Sequence, residues 1–417
     1  MTADHSQHHS NLKNKEIVVA ITGGIAAYKT AELVRELTKR GSNVHVVMTK
    51  NAMEFVTPLT FQTLSGNPVI NEMFQLFSGS KIGHVTLSDI ADHLVIVPAT
   101  ANIIGKIANG IADDFLTTMV MATTVPVLFV PSMNTKMWES RIVQGNIEKL
   151  EDLGFRFLEP AAGELACGTS GKGRLPEVED IVETMEDVFT LKDLQDQKIM
   201  VTAGPTTEFI DPVRCITNRS SGKMGYALAK IARRRGAEVI LITGQTYVKP
   251  PRIDIEVIRV TTAVEMRNAV MDRFRECSVI IKAAAVADFR CRTESCQKMK
   301  KTSDAIVSLE LEKNPDIIAE LGAVKEHRVL VGFAAETENL TKNAADKLKR
   351  KQLDLIVAND VSKADIGFGS DDNEVTIVET TGHVKQVPRM SKDEVASIIL
   401  DSVKKCLKKK QRKEDWY

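Results

Sequence analysis

Two groups of residues in this 417-residue chain have types and spacing suited to chemistry. The first lies in Ile199–Gly225, IMVTAGPTTEFIDPVRCITNRSSGKMG. This stretch starts apolar, breaks at Gly204-Pro205, and gathers Asp211, Arg214, Asn218, Arg219, Ser220, Ser221 and Lys223 ahead of a helical pattern opening near Gly222. A strand, a polar loop and a helix N-terminus in that order make an anion site, because the first helical N–H groups lack partners and point outward. Arg and Lys beside them suit a polyphosphate. The second group is scattered through the first half: His84 in KIGHVTLSD, Asn134 after PSM, and Cys167 in the Gly-rich GELACGTSGKGRLPE, a segment without a secondary-structure pattern. Each has a plain alternative: a surface histidine, a helix-capping asparagine, a loop cysteine. Long Gly-rich loops in compact domains are, however, often functional lids, and this one carries the only cysteine of the first half.

The elements that must position these groups read as two α/β domains. Strands are predicted at Ile17–Thr22, Val44–Thr49, Leu94–Pro98 and Val127–Pro131, with helices over about 26–39, 102–108, 114–123 and 136–153. Apolar runs alternating with helical patterns imply a parallel sheet covered on both faces. Ligands in such sheets collect beyond the carboxyl ends of the strands, which groups Gly23-Gly24, Thr49, Pro98–Asn102 and Pro131–Asn134. From Lys198 the order recurs. Strands are predicted at Met200–Ala203, Val239–Thr243, Val279–Ala283, Val329–Phe333 and Leu355–Ala358, with helices over about 224–235, 263–276, 316–321 and 340–351. The runs Val307–Glu312, Val375–Glu379 and Val384–Val387 suggest added strands, a flap or a dimer contact. The polar KDLQDQ after Leu191 is a plausible boundary. Residues 1–14 read as a disordered leader, and the basic C-terminal KKCLKKKQRKEDWY reads as a solvated helix end.

Composition excludes little but narrows the class. Apolar content of 43%, charged content of 26% and a net charge of zero are ordinary for a globular protein and give no reason to expect a nucleic-acid or membrane partner. No apolar run approaches the ~18 residues of a membrane span. The six cysteines (Cys167, Cys215, Cys277, Cys291, Cys296 and Cys406) form no CxxC pair and show no zinc spacing. With no export signal, a reducing cytoplasm is the expected location. GGIAAYK is not a GxGxxG fingerprint, and no acid follows the second strand to hold a ribose, which argues against a nicotinamide oxidoreductase. A mononucleotide such as FMN suits the first domain better; an empty structural turn is the competing reading.

At these residues a resemblance emerges. GGIAAYK, IGHVTLSDIADHLVIVPATANIIGKIANGIADDFLTT, PSMNTKMW and GELACGTSGKGRLPE resemble the flavin-dependent cysteine decarboxylases. VTAGPTTEFIDPVRCITNRSSGKMG, AAAVADFR, KMKK, KNPDI, GFAAET and ANDVS resemble the phosphopantothenate–cysteine ligases. Fused in this order they look like the bacterial bifunctional enzymes of coenzyme A biosynthesis. The resemblance implies two Rossmann-like domains with mainly parallel sheets, a flavodoxin-like decarboxylase over 15–191 and a ligase over 192–417.

By the same resemblance, the ligase would join cysteine to 4′-phosphopantothenate with CTP through an acyl-cytidylate, with Mg2+ or Mn2+. The decarboxylase would then convert 4′-phospho-N-pantothenoylcysteine to 4′-phosphopantetheine with FMN. His84 would be a base or orienting group, Asn134 would hold the substrate carboxylate, and Cys167 would return a proton. FMN would lie against Gly23, Gly24, Thr49, Thr100 and Asn102. Asn218 would serve the acyl-cytidylate and Lys298 the ligation chemistry. CTP would meet Ala283, Ala284, Asp288, Lys298, Asn314, Pro315, Asp316, Ile317, Phe333, Lys347 and Lys351. Without the motif context, KMKK reads as a solvated face and Lys347/Lys351 as a plain surface stripe. The resemblance gives no metal ligands, and it implies trimeric decarboxylase and dimeric ligase domains. A non-enzymatic regulator from the decarboxylase superfamily is the alternative, and the joint presence of His84, Asn134 and Cys167 argues against it.

Overall fold

The computed structural model describes residues 12–73, 84–164, 168, 170–248, 254–300, 308–336, 340–360 and 369–414. The chain forms two compact units that part between Thr190 and Leu191.

In the first unit, β1 (Glu16–Ile21), β2 (Asn43–Met48), β3 (His93–Ala99), β4 (Val127–Pro131) and β5 (Arg156–Phe157) make a parallel sheet in the order β2-β1-β3-β4-β5. The strands are nearly continuous apolar runs because both faces are covered. Alternate residues go to opposite cores. Ile17, Val19 and Ile21 face one core with α1 (Thr30–Lys39), while Val18 and Ala20 face the other. The latter is closed by α4 (Ala101–Ala108), α5 (Phe115–Ala122) and α7 (Arg141–Asp152). The remaining helices are α2 (Pro58–Ser65), α3 (His84–Ile90), α6 (Thr135–Trp138) and α8 (Val178–Phe189).

Four expectations change here. The helix expected over 26–39 begins as a 3-10 turn, Ile25–Lys29, and that expected over 136–153 divides between α6 and α7 at Glu139-Ser140. The Gly-rich segment is not patternless: β6 (Ala161–Glu164) and β7 (Ser170–Arg174) pair antiparallel as an arm. The expected leader reaches too far, because Leu12 is fully buried and the Asn14 N–H donates to Gly41 O at 2.9 Å.

The second unit centres on an eight-stranded sheet. Its strands are β8 (Lys198–Ala203), β11 (Glu238–Thr243), β12 (Glu256–Arg259), β13 (Val279–Lys282), β16 (Val329–Glu336), β17 (Leu355–Asp360), β18 (Asp372–Glu379) and β19 (Val384–Ser391). The order is β12-β11-β8-β13-β16-β17-β18-β19, parallel as far as β17. The last two strands are antiparallel and extend the sheet rather than forming a flap. Short ribbons β9 (Thr207–Phe209) with β10 (Cys215–Thr217), and β14 (Phe289–Cys291) with β15 (Leu311–Lys313), stand outside it. Of the strand expected at 307–312, residue 307 lies outside the described residues.

Helices α10 (Ala263–Arg273), α11 (Ile317–Val324) and α12 (Leu340–Arg350) supply one core, and α9 (Lys223–Arg234) and α13 (Lys392–Glu414) the other. The C-terminal stretch is therefore more than a solvated helix end. It closes a 23-residue helix that buries Val395, Ala396, Ile399, Leu400, Val403 and Cys406. Its basic end is tied down as well, with Lys410 paired to Asp354 at 3.0 Å. No helix among the described residues is long and apolar enough to cross a membrane.

Candidate functional site

In the first unit the sheet reverses its strand order between β1 and β3, and the crevice at such a switch point is where α/β sheets take ligands. Gly23 and Gly24 leave β1, Thr49 leaves β2, and Thr100 and Asn102 lead from β3 into α4. A hydroxyl pin joins the exits of β1 and β3. Thr22 Oγ1 donates to Pro98 O at 2.6 Å and accepts the Thr100 N–H at 3.2 Å. Thr100 in turn caps α4 by accepting the Ile103 N–H. Position 23 admits no side chain, since a Cβ there would lie 2.4 Å from Asn51 Cβ. The five expected flavin residues supply hydroxyls, an amide and backbone N–H groups but no carboxylate, a donor set that suits a phosphate.

Asn134 follows β4 and caps α6, its side chain accepting the Lys136 N–H at 2.9 Å. The plain capping reading is thus correct as far as local structure goes, and it fixes this residue at the carboxyl edge of the sheet. The β6–β7 arm is docked on the same turn. The Met133 N–H donates to Gly173 O at 3.0 Å, and a Cβ at 173 would fall 2.2 Å from Met133 O. His84 opens α3. Cys167 lies outside the described residues.

In the second unit the strand order reverses between β8 and β13, and a cleft of about 700 Å3 opens there. Ala283, Ala284 and Asp288 reach it after β13, Asn314–Ile317 ahead of α11, Phe333 from β16, and Lys347 and Lys351 from the end of α12. Lys351 pairs with Asp316 at 2.7 Å. Burial alone would raise the Asp316 pKa, but the Lys351 ammonium and the Ala319 N–H hold this carboxyl below its usual range. Lys298 is exposed and is not among the residues lining the cleft. Lys301 of KMKK lies outside the described residues.

The polar loop divides its labour. Asn218 lines the cleft, and its NH2 donates to Ala285 O at 3.1 Å and Val286 O at 3.2 Å. It therefore ties the loop to the exit of β13. Asp211 is fully buried and binds backbone: Oδ1 accepts the Val213 and Arg214 N–H groups, and Oδ2 accepts the Met299 N–H and the Arg214 guanidinium. Burial works against its charge, yet these donors hold the carboxyl at about 2. The KMKK turn is thereby anchored to this loop. Gly222, at φ 79°, precedes α9, whose N-terminus also lines the cleft.

Sequence reasoning gave no role to several polar residues that line the cleft, among them Lys282, Asn359, Asn373 and Lys392. Lys282 and Asn359 sit at or near the carboxyl ends of β13 and β17, where the strand-end rule would have found them. Asn359 Oδ1 is buried with no hydrogen-bond partner among the described residues. Lys392 opens α13; burial, then the nearby Lys223, pushes its ammonium down to about 8. No group of three or more His, Cys, Asp or Glu among the described residues could hold a metal.

Comparison with known proteins gives a consistent picture. Residues 5–190 match the flavoprotein family, and residues 194–407 match the DNA/pantothenate metabolism flavoprotein C-terminal domain. The chain is similar to the coenzyme A biosynthesis bifunctional protein CoaBC of Bacillus subtilis (strain 168), 47% identical over 395 residues that cover 94% of this chain and 97% of that one. The protein of the same name from Vibrio cholerae serotype O1 is 44% identical over 392 residues, covering 94% and 98%. The crystal structure of the C-terminal domain of a CoaBC protein superimposes with a TM-score of 0.46 at 40% identity, over 52% of this chain and 99% of that one.

Proposed function

Because the chain belongs to the family of bifunctional coenzyme A biosynthesis proteins, we propose that its two units run consecutive steps on one substrate. The second unit ligates cysteine to 4′-phosphopantothenate with CTP, through an acyl-cytidylate. The first unit decarboxylates the resulting 4′-phospho-N-pantothenoylcysteine to 4′-phosphopantetheine with FMN. The observation that carries the ligase half is that every expected CTP residue except Lys298 lines one cleft at a strand switch point.

In that cleft, adenylate-type chemistry develops negative charge on phosphoryl and acyl oxygens, so fixed cations do most of the work. Lys347 and Lys351 would hold the triphosphate, with Asp316 keeping Lys351 in place. Mg2+ or Mn2+ would accompany the nucleotide. Asn218 would act by fixing the Ala285–Val286 backbone beside the reacting carboxylate.

In the first unit, Gly23, Gly24, Thr49, Thr100 and Asn102 would hold FMN. When bound, FMN supplies the redox exchange with the thiol-bearing carbon that lets a cysteine carboxylate leave as CO2. Asn134 would hold that carboxylate. His84 would orient the substrate or take a proton, and Cys167 would return one, a thiol being suited to proton transfer near neutrality. The exposed Ile25, Tyr28, Phe55 and Leu59 support an assembly in which copies of this unit bury apolar surface against each other.

The test is one incubation of the purified protein with 4′-phosphopantothenate, cysteine, Mg2+ and either CTP or ATP, read by mass spectrometry. Phosphopantetheine formed with CTP is the expected product. Phosphopantothenoylcysteine that accumulates in protein lacking the yellow of bound flavin would locate a failure in the first unit. No product with either nucleotide would overturn the proposal and favour the regulator.

A further inference from the structure

Lys282 ends β13 at the switch point of the second unit, and it is half-buried with its exposed part in the cleft. The preceding residues of that strand, Val279, Ile280 and Ile281, are fully buried and apolar. Among the described residues Lys282 makes no hydrogen bond and no ion pair. Its charged surroundings are Lys347 and Lys351 at the end of α12, Asp316 at the start of α11, and Asp288 after β13. Of these, Asp316 is already committed to Lys351. Three ammonium groups thus share this end of the cleft with two carboxylates. An unpaired half-buried cation of this kind costs stability unless an anion completes it.

We propose that Lys282 is a phosphate-binding residue, which with Lys347 and Lys351 forms a three-lysine grip on the polyphosphate of a nucleoside triphosphate. The inference rests on the reading of this cleft as a CTP site and adds to it a cation that the motifs do not mark. A solvated strand-end lysine is the plain alternative, but its head would then reach open water rather than a cleft shared with two other lysines.

The free state of Lys282 supports the grip. Burial first, then the charges of Lys351 and Lys347, push its ammonium down to about 8, against the opposing pull of Asp316 and Asp288. A triphosphate in contact raises it again. Below that value Lys282 is already charged in the free protein and no proton moves. Above it, binding must bring a proton, so affinity falls as pH rises. At about pH 8 the uptake is about half a proton.

Isothermal titration with Mg2+ and either CTP or CMP tests this on wild type, Lys282→Gln and Lys282→Arg. Lys282→Gln should weaken CTP by between about tenfold and a hundredfold, the range of a charge-assisted hydrogen bond, and leave CMP within about twofold. Lys282→Arg keeps the charge, should recover most of the CTP affinity, and guards against a misfolded variant. Wild type should also show proton uptake in buffers of different ionisation enthalpy, and Lys282→Gln should show less, keeping only what Lys392 in the same cleft contributes. Wild-type CTP binding with Lys282→Gln unchanged, or with CMP and CTP weakened alike, would overturn this inference alone. Failure of wild type to bind CTP would overturn the nucleotide reading, and the inference with it.

Discussion

Replacing Gly173 by Ala should cripple the first unit and spare the second. Gly173 sits in β7 at φ 152°, and its carbonyl accepts the Met133 N–H at 3.0 Å. An added Cβ would fall 2.2 Å from Met133 O, more than about 1 Å short of van der Waals contact. The obstacle is backbone, so the arm must move. Losing the hydrogen bond costs about 1 kcal/mol and the backbone conformation about 1–3 kcal/mol, giving about 2–4 kcal/mol against the docked arm. The turn it leaves carries Asn134, and displacements of about 1 Å near a reacting group typically cost about a hundredfold in rate. Decarboxylation of 4′-phospho-N-pantothenoylcysteine, followed as CO2 release, should therefore fall by about that factor while ligation with CTP stays within about twofold. Gly66→Ala is the control. It introduces the same kind of strain at φ 75° with nothing within 4 Å, so it should lower stability without touching either reaction. Decarboxylation by Gly173→Ala within about twofold of wild type would refute the view that the docked arm shapes this site.

Three further outcomes are expected. Cys167→Ser should release CO2 from phosphopantothenoylcysteine yet fail to form phosphopantetheine, with ligation intact; full turnover would remove the cysteine from the mechanism. Asn218→Asp sets a carboxylate against Ala285 O and Val286 O in place of two donated hydrogen bonds. The loss of about 2 kcal/mol should lower ligase kcat/KM by about thirtyfold and leave decarboxylation alone, which separate assays of the two reactions will show. Leu400→Ala empties a fully buried position of α13. Denaturant unfolding should show about 2–5 kcal/mol less stability for the second unit, and a variant as stable as wild type would mean that α13 is not part of that core.

Much of the fold was legible because parallel strands buried on both faces announce themselves as short apolar runs: VVAI, VVM, LVIV and VLFV each fall inside a strand of the first unit. What was missed has identifiable causes. The lysine-rich C-terminus reads only as a solvated helix end, although Ser391 and Glu394 form a capping box where that helix starts, with Ser391 N–H donating to Glu394 at 2.9 Å and Glu394 N–H to Ser391 at 3.3 Å. The apolar positions that follow, Val395, Ala396, Ile399, Leu400 and Val403, keep helical spacing. The β6–β7 arm was illegible because glycines stand where a strand would show apolar alternation. They are there for the close approach of a neighbouring backbone, which no local pattern encodes.

The polar loop of the second unit shows why residue type alone misassigns roles. Asp211, Arg214 and Asn218 looked like ligand groups, and each is largely spent on backbone or on one another. Their hydrogen bonds, centred on the buried Asp211 carboxylate, hold an irregular stretch that regular structure cannot satisfy. Apart from Arg219 of the loop itself, cations that face the cleft come mostly from element ends: Lys223 opens α9, Lys282 ends β13, Lys351 follows α12 and Lys392 opens α13. Rigid elements place a charge more reproducibly than a loop does. The loop's contribution is then geometric, setting the N-terminus of α9 and the Ala285–Val286 backbone opposite those lysines. On this division of roles, removing a loop hydrogen bond should lower kcat with little change in CTP affinity. Removing an element-end lysine should do the reverse.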